Sequence, residues 1–328
     1  MTKRYLIVAG MLLGSLAFLL LAAWGAFALW FQLPATVLAR KFAVGVWAVF
    51  CIGTLALCWW QRHWMVLAPW LLALAIIMGW WSTIKPSHER VWADDVARMV
   101  TGKVEGDVVT LDQVRNFDWR SDTDYTPRWE ARSYDLNQLR SVDVAMSYWM
   151  GPAIAHTLVS FGFADGRYLT FSIEIRKERN ESFDGLAGFF KKYETVLIAA
   201  DERDILRVRT NARGEDMWLY RLKVPPATMR ALFMAYLAEA DQLKRTPRFY
   251  NTLTSNCTTI IFEMARRITP GLPLDWRLLA SGYLDRYLYD IGALADRGDF
   301  KSLREQAHIT TKAHAADQAE DYSYRIRR

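Results

Sequence analysis

Three residues far apart in the chain carry the side chains that thiol chemistry needs: Cys257, His156 and Glu174. Cys257 stands in Thr254-Ser255-Asn256-Cys257-Thr258-Thr259, directly before the apolar helical stretch Ile260–Ile268. Ser255 or Asn256 is a good N-cap, which puts the thiol in the first helical turn. A helix N-terminus carries partial positive charge and unpaired N–H groups, and both lower a thiol pKa toward the reactive thiolate. The same N–H groups can stabilise the oxyanion formed when sulfur attacks a carbonyl. His156 is expected as general base and later general acid, with Glu174 as its orienter. Asn256, Ser255 and Ser172 are the expected supporting residues. Taken singly, each of the three has a blander explanation: a satisfied core histidine, a surface carboxylate on an edge strand, a small buried thiol. Taken together they favour a catalytic site, because the chain has only five histidines and a single cysteine outside its apolar N-terminal part.

The elements that must position these residues are partly legible. Ala155–Phe163 and Tyr168–Ile175 are two strand-like runs bounded by Ala164-Asp165-Gly166-Arg167. A two-residue Asp165-Gly166 turn would pair Val159 with Ser172 and Phe161 with Thr170. A three-residue Ala164-Asp165-Gly166 loop, with Gly166 in the left-handed position, pairs Val159 with Phe171 and Phe161 with Leu169. A slip of one residue turns a strand's side chains to the wrong face, so the second, apolar-to-apolar register is expected. It sets His156 directly across from Glu174, within about 4.5–5.5 Å at Cβ.

From Met1 to Ile84 there is no Asp or Glu, and Lys3, Arg4, Arg40, Lys41 and Arg62 supply +5 of the formal net charge of +6. The remainder is nearly neutral, so the basic pI gives no support to nucleic-acid binding. Three apolar runs, Tyr5–Phe31, Phe42–Trp60 and Trp64–Ile84, read as membrane spans. Tryptophans 30, 59, 60, 64, 80 and 81 cluster at their ends. The first run is too long for a cleaved signal peptide. Lys3, Arg4 and Arg62 on one side against Arg40 and Lys41 on the other favour a cytoplasmic N-terminus and a later domain outside. Cys51 and Cys58 lie within the second span.

The expected organisation is a three-helix transmembrane anchor over 1–84, a juxtamembrane connector over 85–115, a catalytic domain over 116–294 and a charged, fraying tail over 295–328. Within the domain, Asn116–Trp129 reads as a structured loop and Leu136–Trp149 as an alternating run. Val196–Ile198, Leu206–Arg209 and Met217–Val224 read as short strands. Ala227–Lys244 and Cys257–Ile268 read as helices, as does Leu278–Leu294. Asp118, Asp122 and Asp124 are spaced as cation ligands might be, but a solvated acidic loop is the better reading. There is no CxxC or HExxH spacing and no glycine-rich phosphate loop, so neither a metal nor another cofactor is expected.

The stretch from about Asn116 to Gly292 resembles the periplasmic catalytic domain of Lnb-type lipoprotein intramolecular transacylases. The matching segments are Tyr134-Asp135-Leu136, Val142-Asp143-Val144, Ala155-His156-Thr157, the run Phe171-Ser172-Ile173-Glu174-Ile175-Arg176-Lys177-Glu178, Leu206-Arg207-Val208-Arg209-Thr210 and Ser255-Asn256-Cys257-Thr258-Thr259. The resemblance implies an α+β fold, a permuted papain-like (NlpC/P60-like) domain with an antiparallel sheet and a cysteine-bearing helix. It also implies Cys257 as nucleophile and His156 as base. Members of this type move an acyl chain from the diacylglyceryl group of a lipoprotein to its terminal amine. The implied function is a membrane-anchored thiol acyltransferase working through a thioester, with membrane lipids and a lipoprotein as partners, at the bacterial inner membrane with its domain periplasmic. One departure stands out: the transacylases place their spans after the catalytic domain, whereas here three spans precede it. Two other readings stay open, a cysteine amidase on cell-wall peptides and a non-catalytic, membrane-tethered binding module.

Overall fold

The computed structural model describes residues 2–296 and 298–328. The side chains of Lys3 and Arg4, on which part of the orientation argument rests, lie outside the described residues. The chain divides into two units, residues 1–87 with 184–192 and residues 88–183 with 193–328.

In the first unit, α1 (Thr2–Gln32), α2 (Val37–Gln61) and α3 (Ala68–Thr83) carry three stretches long and apolar enough to cross a membrane: Val8–Gln32, Val37–Gln61 and Trp64–Thr83. Thr36 caps α2, accepting from the Ala39 N–H, and one 3₁₀ turn, Trp64–Leu67, leads into α3. Where no water competes, indole N–H groups find protein partners: Trp47 Nε1 donates to the Ala22 carbonyl at 2.8 Å and Trp70 Nε1 to Cys51 Sγ at 3.3 Å. Residues 184–192 belong to this unit. Phe190 packs on Phe27 and Phe31, with centroids 5.4 and 5.6 Å away, and Lys191 Nζ donates to the Trp81 carbonyl.

The second unit is an α+β domain around a mixed sheet. Its strands are β1 (Thr101–Glu105), β2 (Val108–Arg115), β5 (Trp129–Asp135), β6 (Leu139–Tyr148), β7 (Ala155–Phe163), β8 (Tyr168–Arg176), β9 (Glu194–Ala200) and β10 (Asp216–Arg221). A separate two-stranded ribbon pairs β3 (Asp118–Trp119) with β4 (Tyr125–Thr126). The main sheet runs β1-β2-β9-β8-β7-β6-β10, with β5 paired to β2. An antiparallel sheet was expected. Most neighbours are antiparallel, but β2 and β9 run parallel at Val114–Ala199 and Arg115–Ala200, which makes the sheet mixed. The helices are α4 (Glu202–Arg207), α5 (Pro226–Arg245), α6 (Cys257–Ile268), α7 (Leu284–Asp290), α8 (Phe300–Ala307), α9 (Thr310–Ala315) and α10 (Tyr322–Arg325).

Strand alternation divides the core in two. Val159, Phe161, Phe171 and Ile173 face Phe233, Tyr236 and Ile260 of α5 and α6. Leu158, Ala145 and Ile198 face the other way, toward Ile205, Leu206, Ile309, Ala313, Tyr322 and Ile326. The sheet is thus covered on both faces, and residues of alternate parity reach different layers.

Several expectations change here. Residues 101–115, read as connector, form two strands of the sheet. Leu206–Arg209, read as a strand, is the end of α4 continuing into a π-helical turn, Val208–Ala212. Residues 300–325, read as a fraying tail, carry three helices that bury Leu303, Ile309, Ala313, Tyr322 and Ile326. Leu278–Leu294 contains one short helix, α7, after two 3₁₀ turns. Asp124 is paired with Arg120 and Asp122 with Arg213.

Candidate active site

The β7–β8 hairpin has the apolar-matched register: Leu158 pairs with Ser172, Val159 with Phe171 and Phe161 with Leu169. The loop closes through Gly166 N–H to the Phe163 carbonyl. Gly166 has φ +84°, a conformation in which a side chain would be strained. In this register His156 Nε2 and Glu174 Oε1 are 3.1 Å apart. Ser172 Oγ lies between them, 2.7 Å from each, donating to the carboxylate and accepting from the imidazole.

Cys257 is the first residue of α6. Its N-cap is Asn256 rather than Ser255: Asn256 Oδ1 accepts from the Thr259 N–H while Thr259 Oγ1 accepts from the Asn256 N–H, both at 2.9 Å. Ser255 sits in the preceding turn, in reciprocal backbone bonds with Asn251. The helix end is fixed against β7 by Thr258 Oγ1 and Thr157 Oγ1, 2.9 Å apart. The thiol is buried beside His156 and the Thr157 backbone N–H. Glu174 and Ser172 hold Nε2, so the other ring nitrogen is left for the sulfur.

Electrostatics follow from these contacts. Burial opposes charge on Cys257, but His156 and the Thr157 N–H outweigh it and pull the thiol below its ordinary value. Burial likewise disfavours the imidazolium, yet Glu174 and Cys257 push His156 up to about 9. Glu174 sits well below the usual carboxylate range: burial alone would raise it, and His156 and Arg209 reverse that.

Sequence reasoning missed four residues that complete the arrangement. Arg209 donates to Glu174 at 2.8 Å and to Glu215 at 3.1 Å, and Glu215 accepts from Ser147 Oγ at 2.5 Å. Arg209 reaches inward from the π-helical turn, a local irregularity of the kind that recurs at functional sites. Its segment had been noticed, but the L-x-V-x alternation of 206–208 read as a strand. Ser147 pairs with His156 across β6 and β7, and only the sheet register shows it. Tyr250 lies beside the Cys257 side chain and backbone, and burial pushes its hydroxyl well above the ordinary phenol value. A tyrosine seven residues before the thiol gave no signal of its own.

The arrangement can therefore hold a thiolate beside an imidazolium, with a phenol and backbone N–H groups around the sulfur. Among the described residues, no group of histidines, cysteines and carboxylates is placed to hold a metal ion. Residues 125–282 match the family model described as the Lnb N-terminal periplasmic domain. No curated protein and no solved structure matches the chain.

Proposed function

The chain belongs, through residues 125–282, to the Lnb-type family, and from that premise we propose that it is a membrane-anchored thiol acyltransferase acting on lipoprotein or lipid acyl esters. Three helices long enough to span a membrane, together with a periplasmic-domain family, make it a membrane protein with an extracytoplasmic domain. We place it in the bacterial inner membrane with its N-terminus cytoplasmic.

One observation carries the reaction class: a buried thiol beside a histidine whose Nε2 is held by Glu174, directly and through Ser172. In the first half-reaction the Cys257 thiolate attacks the ester carbonyl. A tetrahedral oxyanion forms, and we assign the Tyr250 hydroxyl as a donor to it. The carbon–oxygen bond then breaks, and the departing alkoxide takes its proton from the His156 imidazolium. The product is a thioester on Cys257. In the second half, an amine attacks the thioester and His156, now neutral, removes the amine proton. The carbon–sulfur bond breaks and the thiolate–imidazolium pair is restored. The family supports the coarser part of this reading, lipoprotein processing at a membrane, and the side chains gathered around Cys257 support the thiol mechanism.

The test is mass spectrometry of lipoprotein N-termini in cells carrying Cys257→Ala or His156→Ala. Loss of the transferred acyl chain in both variants is expected, and an unchanged acylation pattern in both sinks the proposal. Intact mass of the wild-type protein should also show an acyl adduct that hydroxylamine removes.

A further inference from the structure

We propose that the loops flanking the thiol form a lipid-facing mouth, dipping into the headgroup–acyl boundary of the bilayer, so that the acyl ester reaches Cys257 without crossing water. This rests on the acyl-transfer reading and names where its donor comes from.

Three segments frame the site, and none carries a charge. Residues 149–155 lead into β7 one position before His156; residues 249–256 lead into Cys257; residues 278–284 lie beside the first. The first and third are welded together. Gly282 N–H donates to the Ala153 carbonyl at 3.0 Å, Tyr148 Oη donates to the Gly282 carbonyl at 2.6 Å, and the Ala155 N–H donates to Ser281 Oγ at 3.0 Å. A side chain at 282 would collide with the Pro152 carbonyl, so glycine is what lets the two backbones meet.

This joined surface presents large apolar side chains outward. Met150 and Leu279 are each 55% exposed, with Trp149 and Ile154 beside Met150 in the first segment and Leu253 on the second; Trp276, 62% exposed, lies just before the third, between Asp275 and the Arg277 paired with it. Exposed apolar side chains gathered around a site mark partner or membrane surfaces. Trp149 packs edge-on against Phe183, itself half exposed, with centroids 6.0 Å apart. Phe183 is the last residue before 184–192, the stretch that folds with the apolar helices. Tryptophan, tyrosine and methionine, with the adjoining Asp275 paired to Arg277, suit the interfacial zone of a bilayer, where amphipathic rings settle. A bilayer is also the one partner that the chain's three apolar helices guarantee is present.

The experiment uses the full chain reconstituted in phosphatidylethanolamine–phosphatidylglycerol vesicles doped with a phospholipid carrying a diazirine near the top of its acyl chain. After illumination, adducts are mapped by peptide mass spectrometry. Adducts on the peptides holding 149–154 and 276–283 are expected in the wild type, alongside those on the three apolar helices. In Met150→Glu/Leu279→Glu the loop adducts should fall at least fivefold while the helix adducts stay constant. Adducts confined to the helices in the wild type overturn the proposal, and so does crosslinking of these loops to a second copy of the chain in place of lipid. The wild-type map decides even where the double variant folds poorly. Iodoacetamide labelling of Cys257 in the same vesicles separates the two proposals. A thiol no more reactive than a free one, with loop adducts present, removes the acyl-transfer reading and leaves the lipid-facing mouth standing.

Discussion

Two buried ionic networks lie on the same face of the same two strands. At one end of β6 and β7, Ser147 and His156 pair; at the other, Asp143 and Ser160 pair. Four residues of strand separate them, about 13 Å, with apolar Ala145 and Leu158 between. The distal network joins Asp143 to Arg221 and Arg327, and Arg327 to Glu202, which also accepts from Ser160 Oγ. Arg327 further lies 3.7 Å over the Tyr168 ring. Its two carboxylates meet two guanidiniums, so its charges cancel. The proximal network has Glu174 and Glu215 but only Arg209 between them. One negative charge is left over, and the group that answers it is His156, held protonated up to about 9. That imidazolium in turn supports the thiolate. An even network clasps elements together, whereas an odd one stores a proton beside a nucleophile.

The sharpest way to break this comparison is to remove the arginine from each. Arg327→Met leaves Glu202 with one hydroxyl partner and Asp143 with Arg221, and breaking a buried pair costs about 3–5 kcal/mol. Arg209→Met strips Glu174 and Glu215 and costs a similar amount. Thermal unfolding of the two variants should show comparable losses. The pH profile of Cys257 alkylation, taken well below the unfolding transition, should separate them. Arg209 holds His156 down, so its removal moves the alkaline limb, where the imidazolium is lost, upward from about 9. Arg327→Met should leave the limb where it is. Equal shifts in both variants would mean that charge parity is not what distinguishes the networks.

How much of this was readable beforehand follows from the range of the interactions. The β7–β8 register was legible because a three-residue loop and two apolar stripes over-determine it. The cysteine helix was legible because its cap, its amphipathic run and the prolines after it are local. Arg209, Glu215 and Ser147 were not, since each acts across the sheet from an element of different sequence neighbourhood. Strands β1 and β2 were missed because their outward positions are polar and their inward ones, Val109, Leu111 and Val114, are too few to stand out from a mixed segment. The helices after residue 300 were missed for a related reason. Their buried side include alanines, Ala313 and Ala316, which add contact without raising apolarity above that of a charged tail.

Glu174→Gln tests the odd charge itself at smaller expected cost. The amide keeps most of the shape and loses the charge that raises His156, leaving burial to lower it. The alkaline limb should move down from about 9, opposite in sign to Arg209→Met. Turnover on an acyl ester should fall about 100-fold, equivalent to about 2.7 kcal/mol of barrier. A limb that stays near 9 would show that Glu174 does not set the histidine.

The smallest effect comes from the helix end, and it decides how the thiol is controlled. Asn256→Ala removes the acceptor for the Thr259 N–H, at about 1 kcal/mol of stability, read as a lower thermal midpoint. The aligned peptide dipoles of α6 remain, and their influence on a terminal charge is worth about 0.3–1 kcal/mol. Even partial loss of that influence moves a thiol by no more than about half a pH unit. Cys257 alkylation in this variant should therefore keep both limbs within that margin, while Glu174→Gln moves the alkaline limb further. If the order is reversed, the helix terminus and not the leftover carboxylate charge poises the sulfur. The proximal network would then be a clasp like the distal one.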